Sequence, residues 1–254
     1  ERYLRLLLAL SLICALPALA AEPDVHRQVY PLSAADTVHI TRYCHPEAAG
    51  VFLFHPHDNE YTAKQVALEA VRRYPVCLIA LEHRGPRRIS FRIGESYADF
   101  DPNRIYSPQG RAATLSDGLN ETAAHTAAAF ADAVLNALRP ADFIIALHNN
   151  TDGATNIESY ALDPLAGTAA PVFIQPQHDE DDYFYVTDPR AFAFFKHHGF
   201  NVVQQTEDVA DDGSLSVYAA RHGIGYGKIE TEYGHEAGQR DMLQAAWAYW
   251  QSLR

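Results

Sequence analysis

Positive charge is in short supply in this sequence. Its 20 Lys and Arg stand against 32 Asp and Glu, a formal net charge of -12, so a phosphate backbone would be repelled and a nucleic-acid surface is disfavoured. Cysteine is scarce at 3, which caps intrachain disulfide bonding at a single bridge. Beyond the N-terminal segment no stretch approaches the roughly 18 consecutive apolar residues of a membrane span, so a soluble mature protein is expected. There is no Gly-x-Ser-x-Gly elbow, which speaks against a serine hydrolase, and no internal repeat or low-complexity linker, which speaks against a second domain. What the chain does have is 48% hydrophobic residues, more than a disordered chain carries and enough for one globular domain with a sizeable core. Histidine, at 13, is plentiful and raises the question of metal binding.

Residues 1–21 place Arg2 and Arg5 ahead of the apolar run Leu6 to Leu16 and end in small residues around Ala18 and Ala20. That order is the pattern of a secretory signal cleaved after Ala20 or Ala21. Lipid attachment at Cys14 is disfavoured by Ile13, since a small residue is expected there. The expectation is an exported protein, periplasmic or extracellular, whose residues 22–254 form one catalytic domain. Cys44 and Cys77 then sit in an oxidising compartment, either bridged to each other or buried as thiols beside core strands.

Short apolar runs alternate with longer helical patterns. Strands are expected at Val51–Phe54, Val76–Leu81, Ala141–Leu147, Pro171–Ile174, Asn201–Val203 and Tyr226–Ile229. Helices are expected at Thr62–Arg73, within the Ala-rich stretch 111–138, at Asp188–His198 and at Glu236–Leu253. Such alternation argues for an α/β fold, a single-domain three-layer α/β/α arrangement around a central mixed, largely parallel sheet. Residues 82–110 read as an arginine-bearing loop, and the acidic run 177–182 as solvated surface.

The strand at Val51–Phe54 runs directly into His55-Pro56-His57-Asp58-Asn59-Glu60. A turn of that length can aim an imidazole and a carboxylate at one ion, a donor set that suits zinc. The strand at Ala141–Leu147 ends in His148. Groups just beyond the C-terminal ends of strands in an open α/β sheet converge on one crevice. His57, Glu60 and His148 would leave a fourth tetrahedral position open, the catalytic rather than the structural pattern. Any one of them alone reads equally well as a hydrogen-bonded turn residue; their joint placement favours the metal site. Asp101-Pro102-Asn103-Arg104 offers a guanidinium for a substrate carboxylate. Glu230 and Glu232, two residues apart on one strand, offer a general base.

Together, His57-x-x-Glu60, Asn103-Arg104, the His148 strand end and a late strand closing on glutamate resemble the zinc carboxypeptidases of the carboxypeptidase A type. They resemble equally that family's deacylase relatives, the succinylglutamate desuccinylases and aspartoacylases. The resemblance covers roughly residues 50–235 and implies a carboxypeptidase A-like fold. It implies one Zn2+ per chain on His57, Glu60 and His148, a substrate carboxylate on Arg104 assisted by Asn103, and Glu230 as base with Glu232 as the alternative. It also implies an arginine that polarises the scissile carbonyl, a place open to Arg87 or Arg88. The sequence departs from the family at the residue after His57, where many relatives have glycine; the turn is expected to form because Asp58 and Asn59 tolerate unusual backbone angles.

The implied activity is hydrolysis of an amide next to a free carboxylate, with a peptide or an N-acyl amino acid as substrate. For an exported bacterial enzyme, peptidoglycan stem peptides are the available amides of that kind. A non-catalytic protein that captures peptide or metal on the same fold is the alternative from another class. Glu232-x-x-His235 is a second metal-like spacing and reads as surface or supporting structure, because a glycine turn lies inside it.

Overall fold

Runs of branched and aromatic residues become strands, and alanine-rich amphipathic stretches become the helices that cover them. The computed structural model describes residues 21–116, 120–162, 165 and 167–254; residues 1–20, and with them nearly all of the expected secretory segment, lie outside that range. In chain order the elements are β1 (Asp24–Pro31), β2 (Thr37–Cys44), β3 (Val51–His55), α1 (Tyr61–Arg73), β4 (Cys77–Glu82), β5 (Ile89–Ile93), β6 (Ser96–Phe100), α2 (Pro108–Thr114), α3 (Glu121–Ala137), β7 (Phe143–Asn150), α4 (Glu158–Ala161), β8 (Ala169–Phe173), β9 (Tyr183–Val186), α5 (Pro189–His197), β10 (Val202–Gln205), α6 (Leu215–Arg221), β11 (Gly225–Glu232) and α7 (Glu236–Ser252). Among the described residues no helix is long and apolar enough to cross a membrane.

The main sheet has nine strands in the order β1-β2-β4-β3-β7-β11-β9-β10-β8. Its centre, β4-β3-β7-β11, is parallel throughout, whereas β2 joins β4 and β9 joins β11 antiparallel. β3 is followed by β4 on one side and later by β7 on the other, so the strand order reverses between β3 and β7. Open α/β sheets leave a crevice at such a reversal, outside the C-terminal strand ends.

Two cores flank the sheet. Phe52 and Phe54 of β3 pack on one face with Phe130 of α3 and with Phe91 and Phe100 of β5 and β6. Val51 and Leu53 point to the other, among α1, α5 and α7. All five residues of β3 are buried, as expected of a central strand covered on both sides. Fully burying one such side chain is worth roughly 1.5–3 kcal/mol, so this strand is held very firmly.

The three-layer α/β expectation therefore matches the observed architecture, with three differences in detail. The stretch 111–138 is not one helix: α2 ends before Leu115, and a new helix begins where the Asn120 side chain accepts the Ala123 N–H. The 82–110 region is not all loop, because Ile89, Phe91 and Phe100 are buried when β5 and β6 pair as an antiparallel hairpin against the core. β1, β2 and β9 were not anticipated. β1 is exposed along almost its whole length, so no apolar alternation marks it, and its strand conformation comes from pairing with β2.

Cys44 and Cys77 are register partners of β2 and β4 and form a disulfide, which decides between the two states open from sequence. The bridge closes a loop of sequence separation 33 around β3 and α1. Replacing both cysteines by alanine should lower unfolding stability by about 3–4 kcal/mol on the loop-closure account. Chemical denaturation of the variant, compared with the parent in the presence and absence of reductant, measures this directly.

Candidate metal centre and adjoining cleft

The centre begins with the turn that leaves β3. The Glu60 N–H donates to the His57 carbonyl at 3.0 Å, and His55 Nε2 lies 2.9 Å from the Glu60 carbonyl. A carbonyl can only accept, so His55 carries its hydrogen on Nε2. Burial lowers the His55 pKa to about 4 and keeps the ring neutral. The Asp58 carboxylate accepts the backbone N–H groups of His83, at 2.9 Å, and Arg84, at 2.7 Å. Burial pushes the Asp58 carboxyl up, but those two N–H groups and Lys64 outweigh it and bring it below its ordinary value. Asp58 and Asn59 do not supply the unusual backbone angles expected of them; the positive φ among described non-glycine residues is at Arg84, 56°. Asp58 works instead as an acceptor that ties the turn to the end of β4.

His57, Glu60 and His148 come together, all three buried. His57 Nδ1 lies 2.8 Å from Glu60 Oε1, and His148 Nδ1 lies 3.0 Å from Glu60 Oε2. The two Nδ1 atoms are 3.2 Å apart. On its far side, His57 Nε2 lies 2.9 Å from Asp101 Oδ1. Burial pushes Asp101 up, but the bond from His57 and the charges of His57 and Arg87 outweigh it and hold the carboxyl far below its usual range. Asp101 is thus an ionised acceptor, His57 Nε2 is the donor, and in the neutral ring the Nδ1 lone pair faces Glu60 and His148. Burial lowers the pKa of His57, yet the Glu60 charge and the bonds to Asp101 and Glu60 raise it overall. At His148 burial wins over Glu60 and the pKa falls.

This donor set fits a divalent ion. Two ring nitrogens 3.2 Å apart cannot both point hydrogens at each other, whereas one cation between them takes a lone pair from each. A carboxylate presents one oxygen to each ring, and a second carboxylate orients His57 from behind, as supporting carboxylates do for metal-bound imidazoles. His148 Nε2 is buried with no hydrogen-bond partner among the described residues, so the anchoring of that ring lies on its Nδ1 side. Nothing in the donors selects zinc over other borderline divalent ions.

A buried polar network locks β7 against its neighbours. The Asn149 Oδ1 accepts the Ala63 N–H of α1 at 2.7 Å, capping one free donor of that helix. Its Nδ2 donates to Thr231 of β11 and Gln239 of α7, and Gln239 in turn donates to the His148 carbonyl. The Asn149 N–H reaches Glu60 Oε2 at 3.3 Å.

The remaining residues singled out from sequence separate into those near the centre and those held elsewhere. Arg87 reaches it: Nη1 lies 2.6 Å from Glu60 Oε1 and Nε lies 3.4 Å from Asp101 Oδ2, with the side chain 47% exposed. Arg88 does not; its guanidinium is bound by Asp99 and by the Thr114 carbonyl, so it is corrected to a strut between β6 and the end of α2. Glu230 is the register partner of His148, and its charge acts on that ring. Glu232 stands apart as the partner of His235, at 3.2 Å, in a partly buried group with Asp179 and Asp182. Asn103 and Arg104 line a cleft of about 190 Å3 together with Tyr226 and Lys228. The Asn103 N–H donates to Asp101 Oδ1, which connects this cleft to the centre.

Four contributors were not singled out from sequence. Asp101 stands two residues before Asn103 in a motif already noted, and Lys228 shares a strand face with Glu230, so each carried a local signal. Asn149 and Gln239 carried none, since their roles depend on four elements meeting.

No protein-family model matches the chain, and no curated protein does. Among solved structures it is similar to the murein-tripeptide amidase MpaA from Escherichia coli O157, with 11% identity, 91% of this chain and 93% of that chain covered, and a TM-score of 0.47. It is similar to a metallo-carboxypeptidase from Pseudomonas aeruginosa, with 11% identity over 91% of this chain and 65% of that one, TM-score 0.46. It is also similar to a succinylglutamate desuccinylase/aspartoacylase from Rhodobacter sphaeroides, with 14% identity over 89% and 64%, TM-score 0.47. Each is a likeness of fold at low identity.

If Asp101 orients His57 for a cation, Asp101→Asn should weaken metal binding by about 10–100-fold while the folded state persists. His235→Ala, in the separate group with Asp179 and Asp182, should leave the affinity unchanged. Competition against a chromophoric chelator measures both.

Proposed function

We propose that this chain is an exported zinc-dependent hydrolase that cleaves an amide bond next to a free carboxylate, with peptidoglycan stem peptides as the substrate class. The observation that carries this reading is the burial of His57, Glu60 and His148 around one point, with Glu230 in register beside His148 and its partner Lys228 lining a neighbouring cleft with Arg104 and Asn103. Export is supported by the N-terminal pattern and by the Cys44–Cys77 bridge, which suits an oxidising compartment.

An ion held by the three side chains would supply Lewis acidity at the scissile carbonyl and would acidify water. The chain's own groups do the rest. Arg104 and Asn103 bind the substrate carboxylate and set its register in the cleft. Glu230 takes a proton from the attacking water as the new C–O bond forms, then gives it to the leaving nitrogen as the C–N bond breaks. The Glu230 carboxylate is held for this by Lys228, whose Nζ lies 2.9 Å from Oε2. Arg87, half exposed beside Glu60, can turn N–H donors toward the negative charge that develops on the carbonyl oxygen.

Two variants test this. Glu230→Gln should lower turnover by about 100- to 10,000-fold, the usual worth of a general base, with metal content preserved. His148→Ala should lose the metal itself, read by elemental analysis of purified protein. Stem peptides and N-acyl amino acids serve as parallel substrates: turnover of the acyl amino acids alone would assign a deacylase instead. Fully metal-loaded protein that turns over neither would be a binding protein, and the hydrolase reading would be wrong.

A further inference from the structure

Lys228 is a cation deep in the fold that the metal centre does not need for ligation. It lies on β11 and its side chain is 16% exposed. The rings of Tyr183 and Tyr185 flank the ammonium, with centroids 5.1 and 5.6 Å from Nζ. Burial works to strip its proton, but the Glu230 charge outweighs burial and the group stays charged. An ammonium has three hydrogens to place. One goes to Glu230 Oε2 at 2.9 Å and one to the Tyr183 hydroxyl at 3.4 Å. Among the described residues no acceptor takes the third, and Lys228 lines the same cleft as Arg104 and Asn103.

That cleft therefore has two cations with different surroundings. Arg104 is at the open side, 40% exposed and loosely paired with Asp212 at 3.5 Å. Lys228 is on the inner side among Tyr160, Tyr185 and Tyr226. An apolar group entering between the tyrosines would displace water from the third N–H and offer nothing in return, while a neutral amide would offer only a dipole. A carboxylate supplies both an acceptor and the opposite charge in a place where water screens little.

We propose that Lys228 is a specificity-determining residue, and that the residue bound in this cleft carries two carboxylates: one on Arg104 and Asn103, the second, at the end of an acidic side chain, on Lys228. This rests on the amide-hydrolase reading only for the bond that is cut; the recognition itself is a property of the cleft.

The test uses zinc-loaded protein and peptides identical except for a C-terminal Glu, Gln or Leu. The wild type should favour Glu over Gln by about ten- to hundredfold in kcat/KM, the usual worth of a hydrogen bond to a charged group. Lys228→Met should bring the Glu:Gln ratio close to one whatever its absolute rates, and Lys228→Arg should restore the preference. A ratio is read because Lys228 also holds Glu230, and loss of that hold lowers all three rates together. Calorimetry of free glutamate and glutamine on the wild-type protein gives a second readout that needs neither a variant nor turnover, and glutamate should bind about tenfold more tightly. Hydrolysis without discrimination between Glu and Gln, or a Lys228→Met variant that keeps the wild-type ratio, overturns the specificity assignment and leaves the hydrolase standing. Selective glutamate binding without hydrolysis of any peptide does the reverse.

Discussion

Two imidazoles and a carboxylate withdrawn from water must satisfy one another, and much of the polar architecture of this chain follows from that demand. His57, Glu60 and His148 have almost no access to solvent. A buried charge without compensation is among the costliest features a fold can carry, and breaking a buried ion pair typically costs about 3–5 kcal/mol. Compensation here spreads outward in shells: Asp101 and Arg87 behind His57 and Glu60, then Asn103 and the cleft, and on the other side Asn149, Thr231 and Gln239. A cation at the centre would suit this arrangement, since it would take a lone pair from each ring in place of the hydrogens that join the rings to Glu60.

Position in the sheet explains why the polar cluster can exist inside a hydrophobic protein at all. β3, β7 and β11 are parallel neighbours, and their C-terminal ends fall side by side at the reversal of strand order. The strands bury apolar side chains on both faces, so the rigid part of the structure ends where the polar part begins. His148 and Glu230 are held in register by backbone hydrogen bonds of two adjacent strands, which sets their separation without any contribution from loops. The turn from His55 to Glu60 lacks that advantage and is fixed instead by side chains: His55 on the Glu60 carbonyl, and Asp58 on the N–H groups beyond β4.

Charge is also layered. Glu230 is the register partner of His148 at the candidate centre, and the cation paired with it, Lys228, lines the cleft. Holding Glu230 with an ammonium on its own strand keeps the carboxylate placed, and it puts a second positive charge in the cleft that Arg104 lines.

The sequence by itself determined the α/β class, the central parallel strands and the three donors of the centre. Each of these is a local pattern: a run of apolar residues with a turn after it, and a histidine or His-x-x-Glu where the run stops. Local patterns also singled out Asn103 and Arg104, which line the cleft. They could not separate Arg87 from Arg88, because adjacent residues in an irregular segment have no period to say which one faces inward; the hairpin of β5 and β6 decides it by binding Arg88 to Asp99. Nor could they separate Glu230 from Glu232, which share a strand face; Glu232 lies at the end of β11, where His235 of the following turn takes its carboxylate. The disulfide, the edge strand β1 and the Asn149 network likewise exist only once distant segments pair. Tertiary structure decided these because each depends on a partner far along the chain, and a sequence records which residues are present but not which of them meet.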